Sequence, residues 1–321
     1  MAFSLLLVSF LTFVELNCEN LFDCKHDSLR NDTEFLPDSP RRWKPWRYWK
    51  KLNNIAQCII ATGEYQGRSG IPDIVALCEV ENDSVMRDLT KRSLLRNAGY
   101  EYLMTDSGDP RGMDVALLYS PFSFAPLNHR SLRVKPMKGM EATRDVLYVS
   151  GRIITGDTLH VFVVHAPSRR YGERITRPYR MAVAEVVARS VDSVRALSPH
   201  ADIVVAGDFN AYNSERSVSR YISGGLFDVT AAAKGSRAKA TYRYKGRWGS
   251  LDHIFMSKSL LTAVDTAYIY DAPFLLEDDA VYGGVRPYRT YSGYKYSAGG
   301  TSDHLPLKVV LRIDCLRERR R

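Results

Sequence analysis

The chain has 321 residues, with 45 Lys and Arg against 36 Asp and Glu, a formal net charge of +9. Hydrophobic residues at 45% and charged residues at 25% are ordinary globular proportions, which excludes extensive disorder, and 21 Gly with 14 Pro exclude collagen-like or low-complexity architecture. The excess charge is local: RRWKPWRYWKK at 41–51 holds six bases and no acid, the last five residues hold four Arg and one Glu, and the remainder is balanced. Five cysteines, at 18, 24, 58, 78 and 315, make no CxxC pair. They indicate neither a zinc knuckle nor a disulfide scaffold and read as buried free thiols.

The chain opens on its one long apolar run, AFSLLLVSFLTFV, which is too short for a membrane span. It has no basic residue before it and no small-residue cleavage site, and it flows into the first expected strand. Residues 1–10 are read as a retained segment, with the relic of an export signal as the other reading. A cytoplasmic location is favoured and an extracytoplasmic one stays open. Next come a strand at 11–16, a helix over roughly 46–62, a strand at 73–78, a helix over 83–97 and strands at 114–119, 145–154 and 159–165. A helix over 174–197 carries apolar residues at helical spacing, and strands at 202–208, 252–257 and 305–311 complete the set. Strands outnumber helices and several join through tight turns, which predicts a largely antiparallel α+β sandwich. One domain is expected over 11–312, followed by a basic tail at 313–321. Residues 271–300, rich in Gly and Tyr, are expected to form a long substrate-facing loop.

The expected strands carry polar residues at their ends: Asn17 and Glu19, Glu79, Asp114, His165, Asp208 and Asn210, Asp252, and the pair Asp303 and His304. Singly each reads as a turn former; together they suggest a cleft at one sheet edge. Glu79, Asp303 and Asn17 are hard oxygen donors of the kind Mg²⁺ prefers, with Mn²⁺ or Ca²⁺ as substitutes. Asp252 and His304 can form a carboxylate–imidazole pair that makes His304 a general base. His165 is a second imidazole for an anionic oxygen, and Arg144, Arg169 and Arg170 supply guanidinium groups for phosphate. Metal, imidazole, water and arginine together describe hydrolysis of a phosphate ester.

LNCENLFD, ALCEVEN, RGMDVALLY, VHAPS, AGDFNA, SLDHIFMS and TSDHLP stand in the order found in the endonuclease/exonuclease/phosphatase superfamily, which the chain resembles from about Phe13 to Leu311. The resemblance implies a deoxyribonuclease-I-like fold, a four-layer α/β sandwich of two packed mixed sheets flanked by helices, with one metal-dependent site. It implies that Glu79 is the main metal ligand, assisted by Asn17 and Asp303, and that Glu19 is a metal-proximal carboxylate. Asp208 would activate water, Asn210 hold the phosphate or that water, and Asp252 back His304. His165 would stabilise phosphoryl oxygens or protonate the leaving oxygen, with Asp114 orienting it, and Arg144 resembles a phosphate-contacting arginine. CENLFD departs from the run of abasic-site repair enzymes, so a repair role is not supported. HAPSRRYGER is most similar to bacterial members.

Two features stand outside the site motifs. In 41–51, Pro45 fits a helix start with Trp49, Leu52, Ile55 and Ile59 inward and Lys50 and Lys51 outward; the competing reading is a strand-tracking surface for nucleic acid. The tyrosines of 271–300 could stack on a substrate or pack among themselves. The favoured function is a metal-dependent phosphodiesterase, with a nuclease on DNA or RNA as the subclass. A phosphatase or phospholipase-type hydrolase of inositol phosphates, sphingomyelin-like lipids or sugar phosphates is the alternative, because charge outside 41–51 and the C-terminal tail is balanced. A non-catalytic binding module is disfavoured, since every expected catalytic position keeps its functional group. No stable protein partner and no transmembrane segment are expected.

Overall fold

The computed structural model describes residues 10–170 and 172–318. The expected segment 1–10 lies outside the described residues apart from Phe10, as do residues 319–321 of the expected tail. The chain runs through β1 (Phe10–Leu21), α1 (Pro45–Thr62), β2 (Ile74–Val80), α2 (Asp83–Lys91), β3 (Glu101–Met104), β4 (Asp114–Tyr119) and β5 (Phe124–Leu132). It continues with β6 (Val146–Ile153), β7 (Thr158–His165), α3 (Glu173–Leu197), β8 (Asp202–Asp208), α4 (Arg216–Ser223) and β9 (Leu226–Asp228). A hairpin of β10 (Tyr242–Tyr244) and β11 (Arg247–Gly249) leads to β12 (Asp252–Ser257), α5 (Lys258–Leu261) and β13 (Val264–Ile269). Two ribbons follow, β14 (Leu276–Asp278) with β15 (Val285–Pro287) and β16 (Tyr291–Ser292) with β17 (Lys295–Tyr296), before β18 (Leu307–Arg312) and α6 (Ile313–Glu318).

Two six-stranded mixed sheets result, in the orders β13-β18-β1-β2-β4-β3 and β5-β6-β7-β8-β12-β9. Each holds one parallel pair at its centre, β1 with β2 and β7 with β8, and is antiparallel elsewhere. A parallel pair needs a long crossover, and the two longest helices, α1 and α3, supply it. The central strands read as near-continuous apolar runs because both of their faces are covered. Alternation sorts the residues: Val161, Val163, Val204, Ala206, Ile254 and Met256 join the first sheet's residues in one apolar core. Their neighbours Phe162, Val164, Ile203, Val205 and Phe255 face the other way, onto Val183, Val187 and Val191 of α3. Helix α1 covers the first sheet through Leu52, Ile55 and Ile59. The layers are therefore helix, sheet, sheet, helix, a deoxyribonuclease-I-like sandwich as the motifs imply.

Several local expectations are corrected. The helix expected over 83–97 stops at Lys91, and a separate 3₁₀ turn, Leu94–Asn97, begins where the Ser93 side chain accepts from Leu95 N–H. Residues 271–300 are not a plain loop. Gly283 and Gly284, and then Gly293, take positive φ at the turns of the two ribbons, and ribbon strands of two or three residues are too short to show a period. The expected tail begins as helix α6, with Ile313 buried in the core. In α1, Trp49 packs against the core as expected, but Lys51 points inward and is 1% exposed. Its ammonium donates to Thr290 Oγ1 at 2.7 Å and Thr301 O at 2.6 Å and lies 3.5 Å from Glu19 Oε2. A lysine at that helix position can go inward only because three oxygens meet it there.

Gly207 marks the closest approach within the central pair. Its φ is +146°, and a Cβ there would lie 1.8 Å from Val164 O on the neighbouring strand. Gly207→Ala is expected to destabilise the protein by about 3 kcal/mol or more in urea unfolding; a loss under about 1 kcal/mol would show that the strands can separate there at little cost.

Candidate active site

The carboxyl ends of the four parallel strands converge, and the backbone distorts to aim their last side chains. The ladder slips between Asn17 and Leu21 on β1 and between Cys78 and Val80 on β2, so that Glu79 is a bulge residue. Glu19, Asn20, Glu79 and Asn210 all take positive φ between 48° and 63°, a conformation that costs non-glycine residues energy and gathers at functional sites. In the parallel register His165 stands opposite Asp208, and in the antiparallel one Asp252 stands opposite Asp208. The final motif is tied to the first by Ser302, whose hydroxyl donates to Asn17 O at 2.6 Å while accepting from His304 N–H at 3.1 Å.

At the centre, Asn17 Nδ2 bridges Glu79 Oε1 at 3.2 Å and Asp208 Oδ2 at 3.1 Å. His165 Nε2 lies 3.7 Å from the same Glu79 oxygen and 3.8 Å from the same Asp208 oxygen. Asn20 N–H donates to Glu79 Oε2 at 2.7 Å. Asn210 donates its backbone N–H to Asp208 Oδ1 at 2.8 Å and its side chain to Asp208 Oδ2 and Ala166 O. On the other side of Asp208, His304 Nδ1 meets Asp252 Oδ2 at 2.8 Å, and Thr241 donates its hydroxyl to that carboxylate. Two acid–imidazole groups thus share Asp208: Glu79, His165 and Asp208, and Asp208, Asp252 and His304, each with ligand atoms within 4.8 Å of one another. These groups could hold a metal ion.

Charge separates the two imidazoles. Burial lowers the His165 pKa well below its ordinary value, and Arg144, Arg111 and His304 push it the same way, so the ring is neutral at pH 7. Burial acts against charge on His304 as well, but Asp252, through charge and a hydrogen bond, outweighs it with help from Asp208 and Asp303, and its pKa stands well above the ordinary value. The Asp208 pKa rises to about 7 through burial first and then the neighbouring Asp252. A cationic His304 fits an electrostatic or proton-donating role better than the general-base role expected for it.

The expected orienting role of Asp114 is corrected, and other expected site residues have partners of their own. Asp114 does not orient His165: its carboxylate accepts from Thr105 Oγ1 and Ser107 N–H, while His165 Nδ1 is buried without a partner. Glu19 stands outside both acid–imidazole groups, its Oε2 accepting Thr290 N–H at 2.6 Å and facing Lys51. Asp303 also stands outside them and pairs with Arg289 at 3.7 Å. Asn17 turns its amide nitrogen to the carboxylates and its oxygen to Glu19 N–H at 2.8 Å, so an ion could meet that oxygen only after the amide rotates. Arg169 is occupied by Glu215 and Glu173 and stacks on Tyr212. Arg170 is exposed. Arg144 is brought close to the site electrostatically but is pinned, donating to Asp109 Oδ2 at 3.1 Å and Ala166 O at 2.9 Å.

The structure adds residues that the motifs did not single out. Tyr242 lies against His304 with ring centroids 4.8 Å apart and contacts Arg289. Arg111, which opens the RGMDVALLY motif, acts on His165, and Asp109 anchors Arg144. Beneath the site Cys78 donates its thiol to Val164 O and accepts Asp208 N–H. Glu15, two residues before Asn17, is fully buried with neither carboxylate oxygen hydrogen-bonded. Strand alternation alone would flag Glu15, an acid within an apolar run.

Three comparisons with known proteins bear on this geometry. The sequence profile described as "Endonuclease/Exonuclease/phosphatase family" matches residues 12–313. The chain belongs to that family. Among the curated proteins compared, none matches. Solved structures that match include an endonuclease/exonuclease/phosphatase family protein from Bacteroides thetaiotaomicron, at 18% identity and TM-score 0.62 over 95% of this chain and 98% of that one. A mannosyl-6-phosphatase from the same organism matches at 20% identity and TM-score 0.61, over 94% and 99%. A truncated TDP2 from Caenorhabditis elegans matches at 18% and 0.57, over 94% and 97%. At these identities the likeness is one of fold. Family membership supports hydrolysis of phosphate esters as the class of chemistry.

Burial, followed by Asp252 and Asp208, holds the Glu15 pKa well above the ordinary glutamate value of 4.5, against the pull of His304. The folded state therefore binds a proton that the unfolded state releases above about pH 4.5, and this group's contribution to stability falls as pH rises beyond that value. Glu15→Gln lacks this loss, so its melting temperature should gain on wild type steadily from pH 5 to pH 8. A constant difference across that range would mean that Glu15 is ionised in the fold.

Proposed function

We propose that this chain is a metal-dependent phosphodiesterase that attacks phosphate esters with an activated water, and that its substrates are nucleic acids. The observation that carries the reading is the buried Asp208 shared by two acid–imidazole groups of opposite protonation. Asp208, with a pKa of about 7, is matched to accepting a proton from water near neutrality. Asn210 fixes its carboxylate. His304, kept cationic by Asp252, presents positive charge to phosphoryl oxygens, and neutral His165 lies between Glu79 and Asp208 as a hydrogen-bonding partner for the same group.

The donor set fits a hard divalent cation. Glu79 and Asp208 are carboxylates, the nearby Cys78 is held as a neutral thiol by burial, and no thiolate competes. Glu79 would hold Mg²⁺ or Mn²⁺, with Asn17 joining through its oxygen. Such an ion, when bound, supplies positive charge to the phosphoryl group.

A diester is preferred to a monoester on charge. Arg144 faces Asp109 and Arg289 faces Asp303, so the guanidinium groups near the site are already matched by acids. A singly charged diester asks less of such a site than a dianionic terminal phosphate. Purified protein should cleave plasmid DNA or single-stranded RNA and hydrolyse bis-p-nitrophenyl phosphate with Mg²⁺ or Mn²⁺, and stop in EDTA. Turnover of p-nitrophenyl phosphate alone would overturn the diester reading in favour of a phosphatase. Asp208→Ala and His304→Ala should each lower the rate by ~10² or more, and near-full activity in either would refute the role of that residue.

A further inference from the structure

Two stretches of the chain, 39–63 and 280–302, hold no Asp or Glu. They are remote in sequence, and the fold joins them into one face. The Arg41 guanidinium lies over the Tyr291 ring at 4.9 Å and that of Arg47 over Tyr296 at 4.5 Å. Trp46 meets Tyr296 edge-on at 5.3 Å, and Asn54 donates to the carbonyls of Ala298 and Gly300. Underneath, Lys51 fastens Thr290 and Thr301.

Packing accounts for Trp43, which is buried and donates to Phe22 O, and for Trp49, but not for the rings left outside. Trp46 is 54% exposed and Tyr294 is 67% exposed. Lys44, Lys50 and Lys295 are exposed around them. The inner end of the face is the active site itself, because the second stretch also carries Arg289, paired with Asp303 next to His304.

We infer that this face is a track for single-stranded nucleic acid, leading from Arg289 at the site out to Trp46 and Tyr294. The inference rests on the nuclease reading and names the strand form that it would take. Exposed rings offer stacking surfaces to unpaired bases whatever their identity, and lysines between them meet the phosphates. The Arg47 guanidinium, 5.2 Å from the Trp46 ring, and the edge-on Tyr296 hold Trp46 in place before any ligand arrives, which lowers the ordering cost of binding. Base-paired strands hide the faces of their bases, so a duplex would use only the lysines. An anionic membrane would share the charge, and vesicle binding distinguishes it from the track.

The test is fluorescence anisotropy with labelled oligo(dT) and oligo(rU), in EDTA so that binding is read without cleavage, with circular dichroism melting to verify each variant. Wild type should bind both oligonucleotides. Trp46→Ala and Tyr294→Ala should each weaken binding about fivefold or more, and Trp46→Phe should recover most of the loss. Lys44→Gln with Lys50→Gln should flatten the dependence of log Kd on log salt by about 0.7 for each lost phosphate contact. No binding at low salt, unchanged affinity in Trp46→Ala, or binding to phosphatidylserine vesicles but to neither oligonucleotide would each overturn the track. If wild type hydrolyses bis-p-nitrophenyl phosphate and fails to bind, the track alone falls. If it binds as described yet hydrolyses no diester, the diesterase reading falls and the track stands.

Discussion

One side-chain amide joins the two halves of this molecule where its chemistry is expected. Asn17 comes from the central strand of the first sheet, and its nitrogen reaches Glu79 of that sheet and Asp208 of the second. For both contacts to form, the two sheets must pack at the spacing set by their shared apolar core. The central parallel pairs must also end at the same edge. Gly207 permits the close strand approach just before Asp208, and Ser302 brings His304 to Asn17. The rest of the site is arranged around that meeting point.

The second constraint is electrostatic. Asp208 and Asp252 are buried close together, with Glu15 beneath them, and isolated buried carboxylates are too costly to stay ionised together. The fold resolves this by holding the Glu15 pKa well above its ordinary value, by raising the Asp208 pKa to about 7 and by placing a cationic His304 against Asp252. The same burial, with arginines nearby, leaves His165 uncharged. Two histidines of one site thus differ in charge through their neighbours, which is how a single cleft can offer both a positive group and a neutral one.

Buried ion pairs away from the centre position elements. Helical spacing places Lys51 on the surface and the family resemblance places Glu19 near the metal; in the fold they instead lock α1 to the segment carrying Thr290 and Thr301. That segment in turn delivers Arg289 and the exposed tyrosine edge. Arg169 is similarly consumed by Glu173 and Glu215. Charged residues next to a catalytic motif in sequence are thus structural ties as readily as substrate contacts.

The strands and helices that bear the motifs were legible in the sequence, because central strands are unbroken apolar runs and α3 repeats at helical spacing. The convergence of Asn17, Glu79, His165, Asp208, Asp252 and His304 was legible too, from polar residues placed at strand ends and from their order along the chain. Edge strands such as β5, which is exposed along most of its length, and ribbons of two or three residues carry no such periodic signal. Tertiary structure alone decided which partner each polar side chain meets: Asp114 turns to Thr105 and Ser107, Lys51 turns inward, and Arg144 is pinned by Asp109. It also decided the charge of each histidine and the joining of two acid-free stretches into one face. Pairing and protonation depend on distances and burial between residues far apart in the chain, which local sequence pattern does not encode.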